Sequence, residues 1–493
     1  MPATISIQSL PSELLGTILS HVHNGGGKSG QESIKQCRLV SRCFNNAASA
    51  FLFTEISVCL TLESFARFER ICNHPVFSKN LQKVVIDISY YEAELACNRQ
   101  LYIREARARL LRHVETMERM RSYRRRFDPP DDVSSWLSDL AWGPSPELDQ
   151  LVRGEINATS ATPIQKLFSK LYDTYKQKFD NQQRLRQDET HISRLCDALC
   201  SLPGLVSLEL QDPRIMIPDK LNAAEFSDSG LGHIKLQHFG FALHKSRWCG
   251  SFYTGNSATT PPIEMLGDLC SQLGERGLRP RTLSLSLTPP PNMRAWQLSS
   301  IQQAKLKQLI SWGTELTLHV DFAARHHTLE ASTRYEMLAL CSITQPFFST
   351  PNLKSLDIWF KEYPGSRSSG PNVSLADILP LDTDWPQLET LRLRYQPATM
   401  SELKMLVARY SKTLRRFEWY AGCLLDGSWV DAFETLRSLH ALEEVSIKYP
   451  DGAEFKDNDL RYKIDTDKIN SYILRGTDVN PLRDGTSELP TDD

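Results

Sequence analysis

One phrase recurs along this chain: an apolar residue, two intervening positions, a second apolar residue, one more position and a third. It occurs as Leu81, Val84, Ile86; as Leu205, Leu208, Leu210; as Leu236, Phe239, Phe241; as Leu353, Leu356, Ile358; as Leu388, Leu391, Leu393; as Leu414, Phe417, Trp419; and as Leu442, Val445, Ile447. The last two members lie two residues apart, so on an extended strand they share one face and the residues between them take the other. Further alternating strands are expected at Leu283 to Leu287 and Leu316 to Val320. The gaps carry helical periodicity: Leu403, Leu406 and Val407 within Ser401 to Tyr410, and Val430, Phe433, Leu436 and Leu439 within Trp429 to Leu439. A strand and helix with one apolar edge cannot bury that edge alone, so such units must stack. Repeated strand then helix also describes an ordinary α/β domain with a parallel sheet, and the pattern leaves both architectures open.

The starts at Leu353, Leu388, Leu414 and Leu442 are 35, 26 and 28 residues apart, within or near the period of a leucine-rich repeat. The resemblance implies an irregular leucine-rich-repeat-like solenoid over 191–475; the spacing is unequal and the repeat's asparagine position is missing. Between the phrases at Leu81 and Leu205 the chain departs. Glu92 to Arg126 is charged and helix-favouring, with Leu95, Leu101, Ala106, Leu110, Leu111, Val114 and Met117 as an incomplete apolar stripe. It breaks at Asp128-Pro129-Pro130, and a second helical run extends from Pro163 to about Leu202. Residues 92–190 therefore read as a helical insertion between two strands of one larger domain. The polar stretch 476–493 is expected to be a disordered tail.

The N-terminal stretch from Ser9 to Ile56 has a different grammar. Pro11 suits the first turn of a helix, and Glu13 complements its dipole. Leu14, Leu15, Ile18, Leu19 and Val22 then fall on one face. Ser33 is expected to cap a turn carrying Ile34, Cys37 and Val40, and Ser41 to cap a helix with Phe44, Ala47, Ala48 and Phe51. A unit of this size buries too little surface to stand alone, so its apolar faces call for the rest of the chain or a partner. Leu10-Pro11-Ser12-Glu13-Leu14-Leu15, Ile18-Leu19 and Cys37-Arg38-Leu39-Val40-Ser41-Arg42 with Phe44 and Ala47-Ala48 resemble the F-box. The chain departs from that family in its long, glycine-rich loop His23 to Glu32 and in Phe44, where many members carry tryptophan. The resemblance implies a helical module over 1–60 that docks on the Skp adaptor of a cullin–RING ubiquitin ligase. Leu10, Pro11, Leu14, Leu15, Ile18, Leu19, Val40 and Phe44 would be adaptor anchors or the module's own core. Residues 61–91 follow as a linker helix, Glu63 to Phe77, and the first repeat strand.

Composition removes several alternatives. The 57 basic and 59 acidic residues leave a formal charge of −2, which gives no global drive toward nucleic acid or an anionic membrane. No apolar run approaches the roughly 20 residues needed to span a bilayer, and no secretory leader is expected. Eleven scattered cysteines fit reduced thiols of the cytosol or nucleus. Ten arginines between Arg99 and Arg126 form one basic region, read as the solvated face of an inserted helix. Gly25-Gly26-Gly27-Lys28-Ser29-Gly30 lacks the strand and leading glycine of a phosphate loop and reads as a flexible linker. His191, Cys196 and Cys200 lack the second half of a zinc site and read as core residues, and His326-His327 is equally unsupported. No catalytic or cofactor motif is present, so the expectation is a non-enzyme without cofactor.

The strands suggest a binding surface instead. Residues between and just after the inward leucines would face an open side: Asp87, Glu209, Asp357, Trp359, Arg392, Arg394, Glu418, Tyr420, Ser446 and Lys448. Tryptophan, tyrosine and arginine dominate interface energies, so Asp357, Trp359, Arg392, Arg394, Glu418, Tyr420 and Lys448 are candidate target contacts. The expected function is that of a substrate-recognition subunit of a Skp–cullin–F-box ubiquitin ligase, bridging the adaptor and a protein target. A non-ligase scaffold with an N-terminal helical cap, or an α/β enzyme with a pocket at the strand ends, are the alternatives.

Overall fold

The computed structural model describes residues 7, 10–25, 28–123, 140, 145–153, 161–212, 237–249, 261–290, 292–322, 334–361, 374–452 and 465–483. Three helices, α1 (Ser12–Gly25), α2 (Lys28–Cys37) and α3 (Arg42–Ser49), pack on one another at the N-terminus. Their core is Leu15, Leu19, Ile34, Phe44, Ala48 and Leu52. Helices α1 and α2 approach each other closely at Gly30, inside α2. A Cβ on Gly30 would stand 2.6 Å from the His23 carbonyl oxygen and 2.7 Å from that of Val22. The long loop expected from His23 to Glu32 is therefore mostly helix, and Ser33 sits inside α2 and not at its start. Ser41 does cap α3, accepting a hydrogen bond from the Phe44 backbone N–H.

The chain then forms a mixed α/β body around a nine-stranded parallel sheet. Its strands are β1 (Glu55–Cys59), β2 (Lys83–Asp87), β3 (Ser207–Gln211), β4 (Thr282–Leu287), β5 (Glu315–Asp321), β6 (Ser355–Lys361), β7 (Thr390–Arg394), β9 (Arg416–Tyr420) and β11 (Glu444–Lys448). The short β8 (Pro397–Ala398) and β10 (Cys423–Leu424) pair separately. The main sheet runs β1-β2-β3-β4-β5-β6-β7-β9-β11, so every strand lies beside its predecessor and the order never reverses.

Every pairing keeps the same register, which turns the recurring phrase into continuous rungs. Ile56, Val84, Leu208, Leu283, Leu316, Leu356, Leu391, Phe417 and Val445 form one buried rung. Val58, Ile86, Leu210, Leu285, Leu318, Ile358, Leu393, Trp419 and Ile447 form the next. At about 1.5–3 kcal/mol per buried large side chain, these two rungs are the main source of cohesion between strands. They share one core with the connecting helices.

Those helices follow the strands in order. α4 (Leu62–Cys72) and α5 (Phe77–Asn80) connect β1 to β2, so the helix expected over Glu63 to Phe77 is two pieces. Between β2 and β3 stand α6 (Ala93–Cys97), α7 (Arg99–Tyr123), α8 (Pro146–Arg153), α9 (Pro163–Gln187) and α10 (His191–Cys200). α9 and α10 are separated at Asp188, whose carboxylate accepts from the Thr190 backbone N–H at 3.0 Å and hydroxyl at 2.6 Å. α11 (Glu264–Glu275), α12 (Ser300–Ile310), α13 (Arg334–Phe347), α14 (Leu375–Ile378), α15 (Met400–Tyr410), α16 (Trp429–Arg437) and α17 (Thr466–Ile473) complete the series. α10 packs on α11, α11 on α12, α12 on α13, α13 on α14, α15 on α16 and α16 on α17. Capping boxes start several of them: the Thr399 hydroxyl accepts from the Glu402 N–H, while the Glu402 carboxylate accepts from the Thr399 N–H at 2.7 Å.

The segment between β2 and β3 has its own core, of Leu95, Tyr102, Leu110, Leu167, Phe168 and Tyr175 among others. Phe239 and Phe241 belong to it. They lie on a 3-10 turn, Gln237–Leu243, and not on the strand their spacing suggests, because β3 and β4 pair edge to edge and leave no slot between them. The first strand is β1, ahead of the expected first strand at Leu81 to Ile88. At the other end, within the expected tail, Asn480 is buried and its side-chain amide donates to the Val430 carbonyl oxygen at 3.3 Å, and Leu482 packs against the main core. Leu236, Arg124 to Pro130, His326-His327 and residues 484–493 lie outside the described residues.

Candidate functional site

Two surfaces gather the residues singled out above. On the N-terminal module the eight anchor positions divide. Leu15, Leu19 and Phe44 fill the module's core, Leu10 is half-buried, and Pro11, Leu14, Ile18 and Val40 are exposed. Leu14 is 53% exposed, Ile18 41%, Val40 60% and Leu39, absent from the anchor set, 81%. Helix α1 is thus apolar on two faces, one satisfied by α2 and α3 and one open to solvent. The turn bearing Leu39 and Val40 is held by Arg38, whose Nε donates to Asn45 Oδ1 at 2.9 Å and Ser49 Oγ at 3.1 Å. With Arg38 tied to α3, the two apolar side chains after it stay outside.

The second surface is the sheet face opposite the leucine rungs. Its three rungs alternate with the buried ones. The middle rung carries Glu209, Ser284, Thr317, Asp357, Arg392, Glu418 and Ser446 on β3 through β11. The next carries Cys59, Asp87, Gln211, Ser286, His319, Trp359, Arg394, Tyr420 and Lys448. The seven candidate target residues therefore stand side by side. Arg394 Nε donates to Glu418 Oε1 at 3.0 Å, Arg392 Nε is 3.5 Å from Glu418 Oε2, and Arg394 Nη1 is 3.9 Å from Asp357 Oδ2. His319 Nε2 lies 3.5 Å from Asp357 Oδ1. Burial pushes the Asp357 carboxyl up, but His319 and the two arginines outweigh it and hold it below the usual carboxylate range.

Aromatic rings join these charges. The Arg394 guanidinium stands 5.9 Å from the Trp359 ring centre, and Trp359 meets His319 edge to face at 5.3 Å. Tyr420 lies 5.6 Å from Tyr395 and 5.2 Å from Tyr449. His319, Tyr395 and Tyr449 escaped the sequence reading, the tyrosines because they stand one residue past the strands.

Residues 244–249 cross the C-terminal ends of β2 through β5 as a strap. Lys245 pairs with Asp87, Arg247 Nη1 is 3.4 Å from Asp321, and Ser246 bridges Tyr90. Trp248 is fully buried, its Nε1 donating to the Ile88 carbonyl oxygen and its backbone N–H to Asp212, both at 2.9 Å. Arg109, buried on α7, donates to the His244 carbonyl oxygen at 2.7 Å and to Glu105 at 2.9 Å, fastening the strap to the second core. Burial pushes the Asp212 carboxyl up to about 7 despite hydrogen bonds from Thr288 and Trp248. Burial likewise holds the Asp87 carboxyl up, yet Lys245 and Ser89 outweigh it and lower its pKa.

The cleft lined by Asp212, Arg247, Ser286, Thr288, His319 and Asp321 has room for about one water molecule. All eleven cysteines are free thiols, and burial pushes those of Cys196, Cys249 and Cys270 up to about 12, away from thiolate. Cys200 is exposed while Cys196 is buried, so the two do not share one core environment. Among the described residues no group of three His, Cys, Asp or Glu gathers as a metal site. Among them, too, no helix is long and apolar enough to cross a membrane. No protein-family model matches the chain, and no curated protein matches it.

Proposed function

We propose that this chain is a substrate-recognition subunit of a Skp–cullin–F-box ubiquitin ligase. Its N-terminal module would dock on the Skp adaptor, and the polar face of its sheet would hold a protein target. The observation that carries the reading is the set of exposed apolar side chains on the module: Leu14, Ile18, Leu39 and Val40 stay outside although Leu15, Leu19, Phe44 and their neighbours already close a core. Large apolar side chains held outward at two positions on α1 and two on the turn after α2 cost solvation unless something covers them. In this reading the body is an irregular leucine-rich solenoid, supported by the unreversed strand order and the in-register rungs. The mechanism is bridging: target lysines are kept at high effective concentration near the charged conjugating enzyme, and no residue here is catalytic. The α/β-enzyme alternative calls for a ligand pocket at the C-terminal ends of the strands, and the cleft described there, beside Asp212, Ser286 and Asp321, has room for about one water molecule. The scaffold alternative shares both surfaces and differs only in whether the module binds the adaptor.

Adaptor binding by the purified full chain separates these readings. Leu14→Asp with Ile18→Asp alters exposed positions only, so the variant should keep its circular dichroism and thermal midpoint while losing adaptor affinity by more than about a hundredfold, the scale of two buried apolar anchors. Leu15 is unsuitable for this test because it is fully buried. Folded wild-type protein that does not bind the adaptor would overturn the ligase reading and leave the scaffold.

A further inference from the structure

The polar face of the sheet is electrically divided. On β1 through β5 its positions hold five carboxylates, Glu55, Asp87, Glu209, Glu315 and Asp321, against the single cation Lys83. On β7, β9 and β11 they hold four cations, Arg392, Arg394, Arg416 and Lys448, against Glu418 and Glu444. The strap relieves the acidic half: Lys245 sits on Asp87 and Arg247 on Asp321. Among the described residues nothing brings carboxylates to the basic half in the same way. Arg392 and Arg394 share Glu418, Arg394 also stands 3.9 Å from Asp357 on β6, Arg416 is paired with Glu444, and Lys448 is exposed with no ion pair among the described residues.

A second observation marks the same end. Tyr395, Ala421 and Tyr449 each follow the last residue of β7, β9 and β11 and have φ of 60°, 47° and 54°. They stand one residue past the rung of Arg394, Tyr420 and Lys448. For residues with a side chain this left-handed conformation is strained, and for a tyrosine it is a marked outlier. The backbone is committed there, since the Tyr395 N–H donates to the Tyr420 carbonyl oxygen at 2.8 Å and the Ala421 N–H to that of Lys448 at 2.7 Å. The strain brings Tyr395 and Tyr449 against either side of Tyr420, a three-ring strip beside the unbalanced cations. Repeated strain at one register position is a mark of functional sites.

We infer that the target docks on this basic, tyrosine-lined end through an extended segment rich in Asp and Glu. This rests on the receptor reading above and adds the place and chemistry of recognition. Carboxylates of the segment would meet Lys448 and Arg392, and its apolar groups would lie on the tyrosine rings. With those backbone N–H groups engaged, recognition would run through side chains and not by adding a strand.

The test is selection of a displayed random-peptide library on the full chain, with adaptor binding measured in parallel. Recovered peptides should be enriched in Asp and Glu and weaken with salt. Their affinity should fall about five- to tenfold in Arg392→Gln with Lys448→Gln, the scale of two exposed charge pairs, and hold in Glu315→Gln on the acidic half. Peptides without acidic enrichment, an unchanged affinity in the double variant, or a library that yields no binder would overturn the inference. If adaptor binding persists in those cases only this inference falls; if the adaptor does not bind, the receptor reading itself falls.

Discussion

A side chain at positive φ is held there by its surroundings, and Ala421 shows what that costs. It shares the left-handed conformation of Tyr395 and Tyr449 but contributes no ring to the strip, so its strain has no local return. Ala421→Gly should therefore raise stability by about 0.5–1 kcal/mol, because glycine adopts this conformation freely; the urea midpoint at constant slope reads the gain. None of this shows in the sequence, where Arg394-Tyr395 and Lys448-Tyr449 look like the frayed end of a strand. At the module the residue scale was more legible. The helical spacing of Leu14, Leu15, Ile18 and Leu19 placed all four on one apolar face, and only packing could turn Leu15 and Leu19 inward and leave Leu14 and Ile18 outside.

Elements were read best where hydrophobic period and neighbours agree. Leu356 and Ile358, or Leu391 and Leu393, announce strands because the same two-residue period recurs on either side of them and each finds a paired partner. Phe53, Ile56 and Val58 obey the same phrase, and that signal could have found β1. Leu236, Phe239 and Phe241 obey it too and mislead, since Phe239 and Phe241 are claimed by the insertion's core. Glycines near α2 mislead in the opposite sense: they look like a linker, yet Gly30 is where α2 closes on α1. Gly30→Ala would drive a methyl group into two carbonyl oxygens of α1 and should destabilise the module by about 1–3 kcal/mol. Limited proteolysis between α1 and α2 should accelerate, and in the proposed reading adaptor binding should weaken with it.

Across the whole molecule the strap decides which part of the polar face is covered, and its anchor Asp212 couples that arrangement to pH. Burial raises the Asp212 carboxyl from 3.8 to about 7, so between those values the folded state holds a proton that the unfolded state has released. The contribution is fully present below about pH 4 and is lost as pH rises through 7. Asp87 and Asp357 act oppositely, but their lowered values confine them to more acidic pH. Denaturation midpoints should accordingly fall from pH 5 to pH 8, and Asp212→Asn should flatten that slope; an unchanged slope would mean that Asp212 ionises normally. The sequence by itself determined the strand–helix alternation, the leucine rungs and the distinct helical N-terminus, because each follows from a period within a few neighbouring residues. Only the tertiary structure decided the strap, the second core, the outward apolar face of the module and the charge division of the sheet. Each of these joins residues far apart in the chain, Lys245 with Asp87 or Arg109 with His244, and local period carries no information about which distant partners will meet.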